Sequence, residues 1–445
     1  MNAPPHRPLP VALLVLGLSA AACNQAEDLA GDQEILVDAG ARCESGPGCM
    51  APSRVTCKPL GNDTITQTDP AHGAEPVCWE LIPSESQASE MVWDLTRAAD
   101  GGYLAAGEAT VPQTRYGAAL WKVSHDGRLE WSRVVSGRRG RIEAVEGAPD
   151  SGYIAVGWIA RSAEAMFAWV LKLDASGALE WERVFDGGDR SLAFDVGLAQ
   201  DGGYILAGST GPTSGIDSDL WVARLDPAGE VQWQRSLGRE LGDGATAVHQ
   251  NAGGFLVGGV AQNPDNGADL DLYLVQLDTT GEVLWERTVG GDHLNLIQAL
   301  EPTSDGGCVA VGHVEHSAAG DNHQGWVVKL DHRGEVEWER DYGDSRNQEF
   351  QAVQPAADGG YLLTGYAEDA DSGIGRFWLL SIDAAGEVQW ERRYGEEGGP
   401  VGTAVLQADD GSFLAAGAIT GGALMSVAPW VFKIGANGEC DPTGR

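Results

Sequence analysis

No stretch of this sequence is apolar for long enough to cross a bilayer as a helix. Its most apolar segment, Val11–Ala22, covers twelve residues, whereas a hydrocarbon core needs roughly 20. Helical periodicity is missing too: apolar residues do not recur at three- and four-residue spacing, which excludes helical repeats. Positive charge is scarce. The chain carries 29 Lys and Arg against 65 Asp and Glu, a formal charge of −36. Such a surface repels nucleic acid and anionic headgroups, and it keeps a tryptophan-rich protein in solution. Catalytic signatures are absent as well. There is no GxSxG, no HExxH and no phosphate-cradling loop; the Asp-Gly-Gly turns lead into strands, not helices.

What the chain has is glycine, 62 residues, and tryptophan, 15, and both recur at a fixed period. A tryptophan stands four places after a turn glycine, within Asp-x-x-Gly-x-x-x in all but the first repeat, where Ser124 replaces the Asp, at Trp131, Trp181, Trp233, Trp285, Trp338 and Trp390, in steps of 50, 52, 52, 53 and 52. The glycine that closes DGGYxxxG recurs in register at Gly107, Gly157, Gly208, Gly259, Gly312, Gly365 and Gly417. That period marks a propeller or a solenoid. Each repeat reads as four short strands, a to d. In the third these are Phe194–Leu198, Tyr204–Ser209, Leu220–Leu225 and Val231–Ser236, with β-branched and aromatic residues between turn signals. The a–b turn, Asp-Gly-Gly, and the c–d turn, Asp-x-x-Gly, supply the positive φ that tight turns need. Strand b is apolar on both faces, so it is covered on both sides, as in stacked blades. The strand-d tryptophans recur once per repeat and are read as blade-to-blade packing. So are the strand-c aromatics Trp169, Trp221, Tyr273, Trp326, Trp378 and Trp430, with Trp121 in the first repeat. Arg133, Arg183, Arg235, Arg287, Arg340 and Arg392, two places after each tryptophan, are expected to pair with acids.

The two ends of the array complement each other. Residues 76–83 contain Val77 and Trp79 at strand-d spacing, and Trp79 lies 52 residues before Trp131. At the far end Trp430–Ile434 reads as a strand c, but Pro442 stands where the next tryptophan belongs. The expected fold is therefore all-β: seven four-stranded blades, with the ring closed by an N-terminal strand that completes the last blade. Closure removes exposed sheet edges. Cys78 and Cys440 meet at that seam and are expected to form a disulfide. Cys308 takes a strand-b position and reads as a buried apolar thiol.

Residues 1–22 read as a signal peptide, with Arg7 ahead of the apolar run. The run ends Ala20-Ala21-Ala22-Cys23, which resembles a bacterial lipobox and implies lipidation of Cys23. Ordinary cleavage after Ala22 is the alternative. Residues 23–75 form a polar tether that carries Cys43, Cys49 and Cys57. In an exported chain these favour disulfides over metal, since no Cys-x-x-Cys pair is present. The propeller then spans 76–445, and the expected location is the bacterial cell envelope, on the outer membrane through the lipid anchor alone.

Two resemblances follow from the motifs. DGGY-x-x-x-G, then W-x-x-K-L-D-x-x-G-x-x-x-W-x-R, then Gly-Gly-Asp, over residues 76–440, resembles a bacterial and archaeal family of repeat β-propeller proteins, most without known activity. Asp226, Gly229, Glu230 and Trp233 are similar to the tryptophan-docking motif of quinoprotein-like propellers, a class that includes quinone-dependent dehydrogenases and an outer-membrane assembly lipoprotein. Those have eight blades, and the dehydrogenases have an adjacent Cys-Cys pair that this chain lacks.

The b–c and d–a connections are long and variable, and they share one face, where binding residues collect on rigid scaffolds. Three b–c loops carry metal-ligating residue types. His313, His316, Asp321 and His323 suit zinc. Asp265, Asn266, Asp269 and Asp271 are oxygen-rich enough for calcium. Asp369 and Asp371 are a weaker pair. No resident cofactor is expected beyond zinc or calcium at these loops. The expected function is a monomeric binding or scaffold module for a protein or glycan of the envelope. A hydrolase or lyase with its site at the channel mouth, and a purely structural surface protein, are the alternatives.

Overall fold

The computed structural model describes residues 79–81 and 89–438, apart from 111–115, 136–137, 163–164, 186–189, 213–217, 239–241, 263–269, 292–293, 316–322, 345, 370–371, 396–398 and 422–425. These residues form seven four-stranded antiparallel sheets. The chain is a seven-bladed β-propeller. Six sheets run a-b-c-d in chain order. In the seventh the order is Trp79–Leu81, Ser426–Ile434, Phe413–Gly421, Val401–Gln407. The N-terminal strand thus supplies strand d of the last blade, with Trp79 opposite Lys433 and Leu81 opposite Val431. The described residues contain no helix, and hence none long and apolar enough to cross a membrane.

Each strand-d tryptophan lies under the c–d turn glycine of the next blade. Trp233 sits beneath Gly281, whose φ is +82° and on which a Cβ would come 2.9 Å from the ring. Only glycine takes that backbone shape without strain and also leaves room for the indole. The same contact joins Trp131 to Gly177, Trp181 to Gly229, Trp285 to Gly334, Trp338 to Gly386 and Trp390 to Gly438. Trp79 makes it with Gly127 of blade one, so the closing strand docks forward as every other strand d does. The arginine two residues on reaches the same neighbouring turn: Arg183 to Glu230 at 2.7 Å, Arg235 to Glu282 at 3.3 Å, Arg287 to Glu335 at 3.3 Å and Arg340 to Glu387 at 2.7 Å. These pairs are largely exposed, so each contributes about 0–1 kcal/mol; they orient the tryptophan more than they hold the ring together.

A second repeated contact ties three strands within a blade. The strand-c lysine is buried under the a–b turn. Lys122 meets Asp100 at 2.9 Å and Glu130 at 3.2 Å; Lys172 meets Asp150 at 2.7 Å and Glu180 at 2.8 Å; Lys329 meets Asp305 at 2.9 Å and Glu337 at 3.0 Å. The turn aspartate also accepts the N–H of the glycine two residues on, as Asp100 does from Gly102 at 2.9 Å. Blade three uses Arg224 with Asp201. Blade four replaces the ions by an amide pair, with Asn251 donating to Gln276 at 2.8 Å and accepting from it at 3.1 Å. The aspartate of Asp-Gly-Gly therefore does more than start a turn.

Candidate functional site

The innermost strands are Glu90–Arg97, Gly140–Gly147, Arg190–Leu198, Asp243–Asn251, Asn295–Pro302, Gln348–Pro355 and Val401–Gln407. All run from the long-loop face to the short-turn face and surround a central channel of about 590 Å³. Every one of them shifts register against strand b at the same place, by one residue: Trp93, Glu143, Phe194, Thr246, Gln298, Gln351 and Thr403 are the extra residues. A bulge leaves a residue outside the ladder and re-aims its side chain. Here all seven extra residues line the channel.

Toward the long-loop face, blades one and two build an aromatic and charged corner. The Arg141 guanidinium lies over the Trp93 ring, 4.1 Å from its centroid, and its Nε donates to Glu143. Glu143 also accepts the Trp158 indole N–H at 3.0 Å, and Arg139 lies over Trp158 at 5.6 Å. The Arg141 and Glu143 side chains are each only 7% exposed, so the pair is locked in place. Burial raises Glu108 beside them, against the pull of Arg141.

Toward the short-turn face, blades two to five present acids and one imidazole. His249 Nε2 lies 2.7 Å from the Leu300 carbonyl oxygen and 3.8 Å from Glu301. Burial disfavours the imidazolium, but Glu301, Asp195, the Leu300 carbonyl and Glu146 outweigh it and raise His249. Burial pushes Glu301 up to about 7, against the pull of His249, with Asp195 and Glu146 adding to the rise. Burial and Asp195 also raise Glu146, although its side chain is exposed to the channel. Asp195 is a cross-blade staple: it accepts the N–H of Val196 and that of Val248 in the next blade, both at 2.7 Å. Asp94 does the same with Leu95 and Val145, and burial pushes it up to about 8 despite those two bonds. The opposite wall at the depth of Glu146 and Glu301 is neutral, with Gln354, Leu406 and Thr96. The arc can hold a cation or shuttle a proton between His249 and Glu301.

Of the residues singled out as metal ligands, the structure brings His313 and His323 together, with ring centroids 4.6 Å apart. His316 and Asp321 lie outside the described residues. Glu349, from the next blade, faces both imidazoles; its sequence position carried no signal, because only the ring places blade six beside blade five. Asp271 is buried at the start of strand c of blade four, while Asp265, Asn266 and Asp269 lie outside the described residues. Asp369 pairs with Arg376 at 3.6 Å, and Asp371 is not described. Among the described residues no three His, Cys, Asp or Glu groups form a closed metal-binding set. Cys308 is a free, buried thiol that burial pushes up to about 12. Cys23, the tether cysteines, Cys78 and Cys440 lie outside the described residues. The strand-c aromatics are buried, and several cap a strand-d acid: Trp169 donates to Glu182 at 3.0 Å, Trp378 to Glu391 at 2.9 Å and Tyr273 to Glu286 at 2.7 Å.

No family model matches this chain, and no curated protein matches it. Solved structures do. The WD40 domain of Neurospora crassa Pan2 is similar, with a TM-score of 0.50 and 10% identity, covering 81% of this chain and 95% of that one. A protein of unknown function from Dyadobacter fermentans gives 0.47 at 12% identity, over 81% and 98%. Drosophila Plexin A, solved in complex with Semaphorin 1b, gives 0.45 at 9% identity, over 81% and 87%. At these identities the likeness is one of fold.

Proposed function

We propose that this protein is an envelope lipoprotein, anchored through Cys23, whose propeller binds a protein or glycan through its long-loop face at the channel mouth. The lipobox-like Ala20-Ala21-Ala22-Cys23 and the resemblance to the DGGY repeat family support the location. The observation that carries the binding role is the corner of Trp93, Arg141, Glu143 and Trp158. Trp93 lines the channel half-buried, backed by the buried Arg141 and Trp158, and a large side chain held rigid in this way gains contact at low entropic cost. The test is crosslinking capture from native envelopes with the anchored full chain against a Trp158→Ala, Arg141→Gln double variant. A partner captured by the first and lost by the second establishes the site. Equal capture by both removes it from that corner.

A second reading rests on a separate observation. Glu146, Asp195, His249 and Glu301 converge in the channel with shifted protonation, as general acid–base chemistry requires. The reading is a hydrolase or lyase. Turnover on ester and glycoside panels that His249→Gln and Glu301→Gln both abolish establishes it; turnover indifferent to both variants rejects it.

The seam supports one covalent feature. Cys440 follows the end of Ser426–Ile434 by six residues in sequence. Cys78 stands one residue before Trp79, opposite Lys433. A Cys78–Cys440 bond is the reading; a free Cys78 thiol in non-reducing peptide maps of folded protein overturns it.

A further inference from the structure

We propose that His313, His323 and Glu349 form a divalent transition-metal site, of the zinc class, at the seam between blades five and six. The three residues come from three strands. His313 lies in strand b of blade five (Cys308–Glu315), His323 opens strand c (His323–Leu330), and Glu349 is second in strand a of blade six (Gln348–Pro355). One oxygen of Glu349, Oε2, stands 3.8 Å from His313 Nδ1 and 3.9 Å from His323 Nε2. Its other oxygen accepts the Gln351 amide at 3.0 Å, which leaves Oε2 for the space between the rings.

His313 Nδ1 is the observation that asks for a ligand. It is buried and has no hydrogen-bond partner among the described residues, on a side chain only 10% exposed. A buried polar atom left unmet costs about 1–3 kcal/mol, so each such atom needs a reason. Glu349 Oε2, at 3.8 Å, stands too far away for a hydrogen bond, and a metal held between the two would satisfy both. Two imidazoles and one carboxylate make a donor set that zinc accepts, with the remaining position left to water or a further oxygen.

Without metal the donors stand apart. In a tetrahedral shell with bonds near 2.0–2.1 Å, neighbouring donors are roughly 3.3–3.4 Å from each other. The two measured spacings exceed that by about half an ångström. His323 is the least buried of the three, at 23% side-chain exposure, and so has the most room to turn toward the other two donors. Glu368 supports the arrangement from outside. Its field reaches His323, and its Oε1 accepts from Tyr366 and Asn347, both at 3.3 Å. The metal would strap blade five to blade six beneath the long-loop face, independently of what that face binds.

The test uses the full chain, stripped with chelator and titrated with Zn²⁺ by calorimetry, and then with Co²⁺ by absorption. One equivalent of Zn²⁺ is expected in the native chain. Its affinity should fall at least tenfold in Glu349→Gln, which keeps the side-chain shape, and in His313→Gln and His323→Gln. It should be unchanged in His332→Gln, at an exposed c–d turn. Bound Co²⁺ should show visible ligand-field bands without thiolate charge transfer. Native zinc should raise the melting temperature, and Glu349→Gln should lose that rise while keeping the native circular dichroism. Equal binding by the native chain and all three site variants overturns the proposal. So does a thiolate spectrum, which would move the metal to the tether cysteines, and so does the absence of Zn²⁺ binding.

Discussion

Gly281 and Glu301 show how much a single side chain decides. Gly281→Ala combines a Cβ at φ +82° with an atom 2.9 Å from the Trp233 ring. The expected loss is about 1–3 kcal/mol, read as a lower chemical-denaturation midpoint. An unchanged midpoint would mean that the indole slides aside at no cost. Glu301 carries a pH dependence of definite sign. Its folded value, about 7, lies above the ordinary carboxylate value of 4.5. The folded state therefore holds the proton more tightly, and stability falls as pH rises between those two values. Glu301→Gln should flatten the decline in melting temperature across that window. If the slope is untouched, channel water solvates the ionised carboxylate as well as bulk water does.

At the scale of the strand, Trp79–Leu81 matters out of proportion to its three residues. It completes blade seven, and its tryptophan docks on Gly127 of blade one. Trp79→Ala should cost about 2–3 kcal/mol, less than the roughly 3–5 of a fully buried indole, because Trp79 is only partly buried. The readout should be distinctive. Losing the strand leaves Ser426–Ile434 as an open edge, so the variant should also gain concentration-dependent association in light scattering. Removing an interior contact, as in Trp233→Ala, should destabilise without that association. Similar scattering by both variants would show that blade seven does not depend on its borrowed strand. The bulge in each strand a is the other element-scale device, since it delivers one side chain per blade to the channel.

Across the whole molecule, the lysine staples couple the fold to acid. Asp305 and Asp410 are each held down to about 2. Burial opposes this, but Thr303 and Lys329 at the first, and Lys433 and Ser412 at the second, outweigh it. Asp100, Asp150 and Asp201 are also lowered. A depressed carboxylate stabilises above its unfolded value, near 3.8, and that stability is lost as pH falls toward 2. The melting temperature should therefore drop steeply between pH 4 and about 2, and an Asp305→Asn, Asp410→Asn double variant should show a shallower acid limb. An equally steep limb would place the acid sensitivity in the other lowered turn carboxylates, Asp100, Asp150 and Asp201, instead.

The sequence alone determined the number of blades, the four strands in each, the packing of the strand-d tryptophans and the borrowing of Trp79 to close the ring. All of these are local or periodic: a turn needs glycine where φ is positive, a two-sided strand needs apolar residues on both faces, and a period counts itself. The pairing of the turn aspartate with a strand-c lysine in blades one, two, five and seven was hidden, because the partners stand 22 or more residues apart and join only when strands a, b and c align. The channel arc was hidden for the same reason. Glu146, Asp195, His249 and Glu301 come from four different blades, and closure of the ring alone brings them to one channel. So too with Glu349, an ordinary strand residue until blade six packs beside His313 and His323. Periodicity reports what each repeat does for itself; the seven-fold closure decides what different repeats do to one another, since electrostatic and ligand contacts depend on distance in space.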